Sequence, residues 1–271
     1  MDKINVIKVG GAVVENEASL KELINQFATM PGYKVLVHGG GRSATRIAAQ
    51  LGIESHMVGG RRITDEDMLQ VVTMVYGGLV NKRIVAALQA KGVNAVGLTG
   101  ADMDIIRSHK REPKMVTMDD GSQQLVDFGF VGDVDSANGR RLAALIKPQE
   151  GVEAVVPVVA PLTHDGKGNI LNTNADTMAA TVAKALTEEF EVTLTYCFEK
   201  PGVMADADDD DSVIPTINTD SYAQLKADGI VSGGMIPKLD NAFDSISSGV
   251  KRVVITHFMD IQASMGTVIE K

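Results

Sequence analysis

The stretch that decides the fold is Asn5-Val6-Ile7-Lys8-Val9-Gly10-Gly11. It reads as an apolar strand that carries one lysine and then breaks on two glycines. A charge inside a buried strand is costly unless something anionic meets it. A glycine pair directly after the strand lets the backbone turn sharply and bring bare N–H groups close to a ligand. Two readings are open at this point. Either Lys8 snorkels to water from the strand's end above an ordinary turn, or it faces an anion, and the choice rests on what other segments supply.

A second unit of the same kind follows. Tyr33 to Val37 is a fully apolar strand of parallel type that runs into His38-Gly39-Gly40-Gly41 and a helix from Ser43 to Leu51, closed by Gly52. A strand, a glycine turn and a helix in that order aim free N–H groups and the helix dipole at an anion. Between the two units, Leu20, Leu23, Ile24 and Phe27 have helical spacing over Asn16–Met30, with Asn16 as N-cap and Pro31-Gly32 as the stop.

Further on, Gly59-Gly60-Arg61-Arg62-Ile63 reads as a hinge. Thr64, with Asp67 three residues later, opens a long helix that runs to Lys91 and stops at Gly92. Gly77 and Gly78 inside that helix cost about 1 kcal/mol each against Ala, which predicts close packing there, helix on helix between subunits. Val93–Leu98 is a strand. Thr99–Asp135 is a hairpin-rich excursion with short strands near Met115–Met118 and Leu125–Phe128. Asn138–Ile146 is a helix, and Ala154–Leu162 a strand in which Pro157 sits uncomfortably. A helix over Thr177–Ala185 takes Asp176 as its N-cap. Strands at Val192–Phe198, Arg252–Ile255 and Gly266–Ile269 and helices at Ser221–Asp228 and Ile236–Ser248 complete the chain. This alternation predicts an α/β fold with an open, mainly parallel sheet covered on both faces.

The chain of 271 residues carries 35 acidic against 26 basic residues, a net charge of −9. With no basic stripe and no Trp, nucleic acid is not an expected partner. An acidic protein that binds anionic small molecules must concentrate its positive charge locally or borrow it from a metal ion. There is no apolar run near 18 residues and no charged leader, so neither a membrane span nor a signal peptide is expected. The single cysteine, Cys197, excludes a disulfide framework and reads as a buried thiol. These features point to the cytoplasm. The turn Gly39–Ala44 matches G-x-G-x-x-A, but no acidic ribose ligand lies some 20 residues on. The chain has no P-loop, H-E-x-x-H, C-x-x-C or G-x-S-x-G, and no metal-ligand set; Asp208–Asp211 reads as a solvated acidic loop.

What stands out is a set of spaced motifs at the ends of elements: Ile7–Gly11, Val37–Gly41, Gly60–Thr64, Asp127–Gly132, Asn172–Asp176 and Gly234–Lys238. In this order the sequence resembles the amino acid kinase family over essentially its whole length. The resemblance implies a three-layer αβα sandwich. Residues 1–172 would form an N-terminal lobe that binds an acyl amino acid and mediates dimerisation, and residues 173–271 a C-terminal lobe that binds ATP.

The implied reaction moves the γ-phosphoryl of ATP, with Mg²⁺ riding on the nucleotide, to the side-chain carboxylate of an N-acylated L-glutamate. The acyl group would be acetyl, in arginine biosynthesis, with succinyl as the alternative. Such a carboxylate is ionised at pH 7, since its reference pKa is about 4.3. No base is required; the task is to bring an anion to an anionic phosphoryl group. By resemblance, Lys8 and Lys238 flank the moving phosphoryl as catalytic residues and Asp176 holds both. Gly10, Gly11, Gly202, Val231 and Ser232 meet phosphate or nucleotide, with an N–H of Gly40 joining them. Gly40, Gly41, Arg62, Asn172 and Asn174 hold the substrate, Arg62 bidentate on its α-carboxylate. Four of these also have a plainer explanation: Arg62 as a cap of the preceding segment or a partner of Asp65, Asp176 as a cap, Asn172 as a turn residue, Lys238 as an exposed lysine.

The sequence departs from the family pattern in three places. Phe198-Glu199-Lys200-Pro201-Gly202-Val203 stands where Thr/Ser-Asp-Val-x-Gly is usual. Arg61 stands where Leu is common, which suits a charged acyl group or is an exposed arginine. The chain begins directly on its first strand, which predicts a homodimer insensitive to arginine. The rivals are another member of the family, which the contexts of Arg62 and Asn172 disfavour; a catalytically silent regulator, disfavoured by Lys8, Asp176 and Lys238 together; and an NAD-binding dehydrogenase.

Overall fold

A computed structural model describes residues 1–118, 121–148, 153–206, 208–233, 235–262 and 266–271. Gly234 of the last motif lies outside the described residues. The chain opens with β1 (Lys3–Val9), α1 (Gly11–Glu15), α2 (Glu17–Thr29), β2 (Tyr33–His38) and α3 (Gly41–Gln50). Asn16 caps α2 as expected, its side chain accepting from the Ser19 N–H at 2.9 Å. The segment read as a hinge is a hairpin of β3 (Met57–Val58) and β4 (Arg61–Arg62). It turns on Gly59 and Gly60 at φ 54° and 71°, the positive pair that a tight two-residue hairpin requires.

The long helix spans Glu66–Gln89 as α4 (Glu66–Val72), a π-helical segment at Thr73–Val80 and α5 (Asn81–Gln89). Its cap is Asp65, which accepts from the Met68 N–H, and not Thr64. Thr64 is fully buried and accepts a hydrogen bond from Asn172 Nδ2 at 3.0 Å. By length and composition alone this helix could span a bilayer; Met68, Val71, Val72, Val75, Ile84 and Leu88 bury one side of it in the core. Gly77 packs within the chain, 3.5 Å from Leu162 at its would-be Cβ, whereas Gly78 faces open space.

The polar excursion holds more strand than its sequence suggests. After β5 (Ala95–Leu98) come β6 (Ile106–Lys110), β7 (Lys114–Thr117), β8 (Gln123–Val126) and β9 (Gly132–Ala137), then α6 (Gly139–Ile146), β10 (Val156–Val159), β11 (Leu162–His164) and β12 (Ile170–Asn172). The chain ends with α7 (Ala175–Ala185), β13 (Glu191–Phe198), β14 (Thr216–Ile217), α8 (Thr219–Ala227), α9 (Met235–Ser247), β15 (Arg252–His257) and β16 (Thr267–Ile269). The expected strand over Ala154–Leu162 divides into β10 and β11. Pro157 is tolerated because the pairing of β10 with β2 begins only at Val158.

Eight strands form the central sheet in the order β14-β16-β15-β13-β1-β2-β10-β5. It is parallel except where β16 runs against β15. A second sheet, β12-β11-β6-β9, adjoins it. The apolar core divides by sheet face. Ile7, Val9 and Leu36 pack under α2, α3 and the long helix; Ile4, Val6 and Val37 pack under α6, α7 and α9. Alternation along β1 therefore puts Lys8 on the face covered by α7 and α9. Phe258 and Ile261, late in the chain, join the first of these cores.

The Asp127–Gly132 motif is a splice. Thr64 N–H donates to Phe128 O at 2.9 Å, Phe130 N–H to Thr64 O at 2.6 Å and Asn172 N–H to Phe130 O at 2.8 Å. At Gly129, with φ +70°, a Cβ would lie 2.2 Å from the Thr64 oxygen, so only glycine fits.

Candidate active site

Asp176 stands in the first turn of α7, whose cap is Asn174: the Asn174 side-chain oxygen accepts from the N–H groups of Asp176 and Thr177. The capping role expected of Asp176 thus belongs to Asn174, and the Asp176 carboxylate is left to point across the face that β1 and α9 share. Lys8 Nζ lies 2.7 Å from one of its oxygens and Lys238 Nζ donates to the other at 3.0 Å. Burial pushes the Asp176 pKa up, but the two ammonium groups outweigh it and hold the carboxyl below its ordinary range. Lys8 is neither solvated nor free, and Lys238 is not an exposed helical lysine. Three residues far apart in sequence meet in one ion triad.

Two glycine turns face this triad. The β1–α1 turn (Gly10, Gly11) and the β2–α3 turn (Gly39–Gly41) touch each other: a Cβ on Gly39 would lie 3.3 Å from Gly11 N, and one on Gly11 3.7 Å from Gly40 N. A side chain at Gly39 would press on the Gly11 backbone, whereas one at Gly11 would only reach ordinary contact with Gly40. The N–H groups of Gly11 and Gly40 donate to no backbone oxygen among the described residues, and they open toward a cavity of about 390 Å³ lined by Lys8, Gly10, Gly11, Phe198 and Lys238. This is an anion nest with two cations beside it. Cys197, also at its wall, is inert: burial pushes its thiol up to about 12, and it donates to the Lys8 carbonyl at 3.0 Å.

On the other side of Gly39–Gly41 lies a second cavity of about 200 Å³, lined by Arg61, Arg62, Tyr76, Arg111, Asn172 and Asn174 among others. Arg62 is buried, and its bonds go to partners other than Asp65. Its Nη2 donates to Gly41 O at 2.9 Å and Thr45 Oγ1 at 2.8 Å, and its Nη1 to Ser55 Oγ. The guanidinium therefore secures the end of the glycine turn from within the cavity wall. Asn172 is held by Thr64.

Arg111 was passed over in the sequence, where it is one of several basic residues in a polar run. It is buried, bonded to Asp133 through Nε (3.0 Å) and Nη2, and stacked 5.5 Å from the Phe128 ring. Its Nη1 is buried without a partner among the described residues. Burial, then the nearby Arg111 charge, lower the Arg61 pKa, with Asp133 opposing. Tyr76 was also missed; its ring lies 3.0 Å from where a Gly40 Cβ would stand, and nothing in its helical context marks it.

Gly202, Val231 and Ser232 are not brought to either cavity. Gly202 is packed, with a Cβ site 2.8 Å from Thr267 Oγ1. Val231 is buried in the core under α9, and Ser232 is exposed.

The family model for the amino acid kinase family matches residues 3–257. The chain belongs to the amino acid kinase family. Its relatives include proteins named acetylglutamate kinase from Bacteroides thetaiotaomicron, 61% identical over 270 residues, and from Phocaeicola vulgatus, 60% identical over 270 residues; each alignment covers 100% of this chain and 99% of the relative. Among solved structures, smu.665 from Streptococcus mutans superposes with a TM-score of 0.76 at 25% identity, covering 98% of both chains. N-acetylglutamate synthase from Neisseria gonorrhoeae has a TM-score of 0.75 at 22% identity over 99% of this chain and 59% of that one. The latter likeness speaks for the fold alone.

Proposed function

We propose that this amino acid kinase transfers the γ-phosphoryl group of ATP to the side-chain carboxylate of N-acetyl-L-glutamate, giving an acyl phosphate, a step of arginine biosynthesis. The observation that carries this reading is the Lys8–Asp176–Lys238 triad beside two glycine turns, of which Gly39–Gly41 lines both cavities. The larger cavity suits the nucleotide phosphates and the smaller the acyl amino acid. A carboxylate oxygen attacks the γ-phosphorus while the bond to the β-phosphate oxygen breaks and ADP departs. Lys8 and Lys238 balance the charge that gathers on the transferring group, and the N–H groups of Gly11 and Gly40 receive its oxygens. Asp176 keeps both ammonium groups in register and does not take a proton.

Mg²⁺ fits this site only as a companion of the nucleotide. No group of three or more His, Cys, Asp or Glu side chains that could hold a metal occurs among the described residues, and both Asp176 oxygens face lysines. Its charge would offset that of the phosphates. The exposed Met74 and Leu79 on the π-helical segment support a homodimer through that face, and the cytoplasm supplies the ATP that such a step consumes. An ATP-dependent hydroxamate assay, which traps acyl phosphates, tests the reaction across N-acetyl-, N-succinyl- and free glutamate; no hydroxamate from any acyl-glutamate overturns it.

One observation favours a second reading, the same reaction on N-succinyl-L-glutamate. The smaller cavity is lined by three guanidinium groups, those of Arg61, Arg62 and Arg111, and the buried Arg111 Nη1 lacks a partner among the described residues. N-acetylglutamate offers this cavity one carboxylate, whereas a succinyl group brings a second. Rates on both substrates with wild type and Arg61→Leu decide the matter: a preference for succinyl that falls at least tenfold in the variant supports this reading, and an unchanged preference sinks it.

A further inference from the structure

His38 ends β2 and is completely buried, yet no step of the transfer described above uses it. Its hydrogen bonds have only one consistent polarity. Nδ1 lies 2.7 Å from Gly39 O, and a carbonyl only accepts, so Nδ1 carries the proton. Asn81 Nδ2 donates to Val158 O at 2.9 Å, which fixes that amide's orientation, and the same nitrogen lies 3.1 Å from His38 Nε2. Nε2 is therefore the unprotonated, accepting nitrogen. Asn81 Oδ1 in turn accepts from Lys82 Nζ at 3.2 Å. Every donor and acceptor in the chain Lys82–Asn81–His38–Gly39 is matched, and a second proton on the ring would set N–H against N–H at Asn81.

The end of this chain is what matters for the reaction. Gly39 O and Gly40 N–H belong to one trans peptide and point in opposite directions. Holding the oxygen against the buried His38 ring turns the N–H the opposite way, on the side where Gly40 lies next to Gly11 and both line the cavity of the triad. Asn81 is able to reach the ring because it begins α5 at the foot of the π-helical segment, where the widened turn shifts the helix register. The same segment places Tyr76 against Gly40.

We propose that His38 and Asn81 are positioning residues for phosphoryl transfer: through the Gly39 carbonyl they fix the peptide whose N–H, at Gly40, meets the transferring group. This rests on the reading of that cavity as the phosphoryl site. Burial, aided by the Lys82 charge and opposed by the Gly39 bond, lowers the His38 pKa to about 4, which keeps the ring neutral across the working range. Lys82 is the ionised group bearing on it; β1 on one side presents Val9 and β10 on the other the Val158 carbonyl.

Three measurements test the proposal. First, ¹⁵N NMR of the ligand-free wild type, which does not depend on any activity, shows neutral His38 protonated at Nδ1; the Nε2–H tautomer overturns the assignment. Second, His38→Gln, which cannot reach Gly39 O from the Nδ1 position, lowers kcat by roughly 10- to 100-fold with KM for both substrates within threefold. His38→Asn, whose amide can reach that carbonyl, recovers most of the loss. A His38→Gln enzyme with wild-type kcat, or a His38→Asn enzyme as slow as it, overturns the proposal.

Third, in case the His38 variants do not fold, Asn81→Asp sets a carboxylate against Nε2. The ring then keeps its Nδ1 proton only when doubly protonated, because the neutral form turns its single proton toward the carboxylate. The variant's kcat acquires a limb that falls as pH rises through the raised His38 pKa, and wild type shows none. Identical profiles for variant and wild type overturn the proposal. If wild type itself yields no acyl phosphate, the transfer reading fails, and the NMR result still decides the geometry.

Discussion

Asp176→Asn is the most informative single change, because it removes one charge from between two others. At 2.7 and 3.0 Å and an effective dielectric constant near 20, each Lys–Asp attraction amounts to roughly 5–6 kcal/mol before desolvation is subtracted. The net loss on deleting the shared partner of a buried ion pair is smaller, about 3–5 kcal/mol. The Lys8 side chain is 11% exposed and Lys238 23%, so Lys238 can turn to water while Lys8 cannot, which argues for about 3 kcal/mol. For a chain of this size that lowers Tm by roughly 6–12 °C. ATP should narrow the gap, since its phosphates supply the missing negative charge to the same two lysines. KM for ATP should stay level or fall, while kcat drops about 10²- to 10³-fold because the ammonium groups no longer stand in register. Thermal unfolding with and without ATP, together with steady-state hydroxamate formation, reads all of these. A kcat within threefold of wild type would refute the organising role. A Tm deficit that ATP leaves unchanged would show that the lysines do not face the nucleotide.

Lys8→Ala leaves Asp176 paired with Lys238; it should reduce kcat by at least 10²-fold while circular dichroism stays that of the folded wild type, and an unfolded variant would return Lys8 to a structural role. Gly129→Ala sets a Cβ 2.2 Å from Thr64 O at φ +70° and should cost about 2–4 kcal/mol in urea unfolding. It should also raise KM for the acyl-glutamate, because Thr64 orients Asn172; wild-type stability would contradict the splice described for Asp127–Gly132. The carboxyl of Asp176 lies below its ordinary range when folded, so its contribution to stability is present above the usual carboxylate pKa and fades as pH falls through the folded value. Stability measured from pH 7 down to 3 should therefore fall less steeply for Asp176→Asn than for wild type, and parallel curves would count against the linkage.

What the sequence made legible was whatever depends on local order. The apolar run around Lys8 announced a strand and the fully apolar Tyr33–Val37 a parallel one, and the glycines after each announced turns open to an anion. Asn16 named its own helix start. What stayed hidden depends on contacts between distant segments. Thr64 and Asp65 are both good caps by type, and the choice between them is made by Asn172, 108 residues away, which draws Thr64 inward. Asp176 looked like a cap because Asp at such a junction usually is one. Asn174 took that task two residues earlier, and this released the carboxylate for Lys8 and Lys238. The polar excursion concealed β6 and β9 because their alternation is blurred: Arg107 and His109 face outward, while Ser108, beside the register shift between Arg107 and Ser108, is buried.

Arg111 shows why a charged residue in such a run resists reading. Its importance comes from Phe128 beneath it, Asp133 beside it and one nitrogen left without a partner among the described residues, none of which its neighbours in sequence disclose. His38 makes the complementary point. Its place before three glycines was plain in the sequence, but its tautomer is dictated by a carbonyl one residue ahead and an amide 43 residues away. The chemistry of the glycine turn thus depends on the register of a helix, and that register is set by the π-helical segment Thr73–Val80, a feature that the uniform apolar spacing of α4 and α5 does not betray.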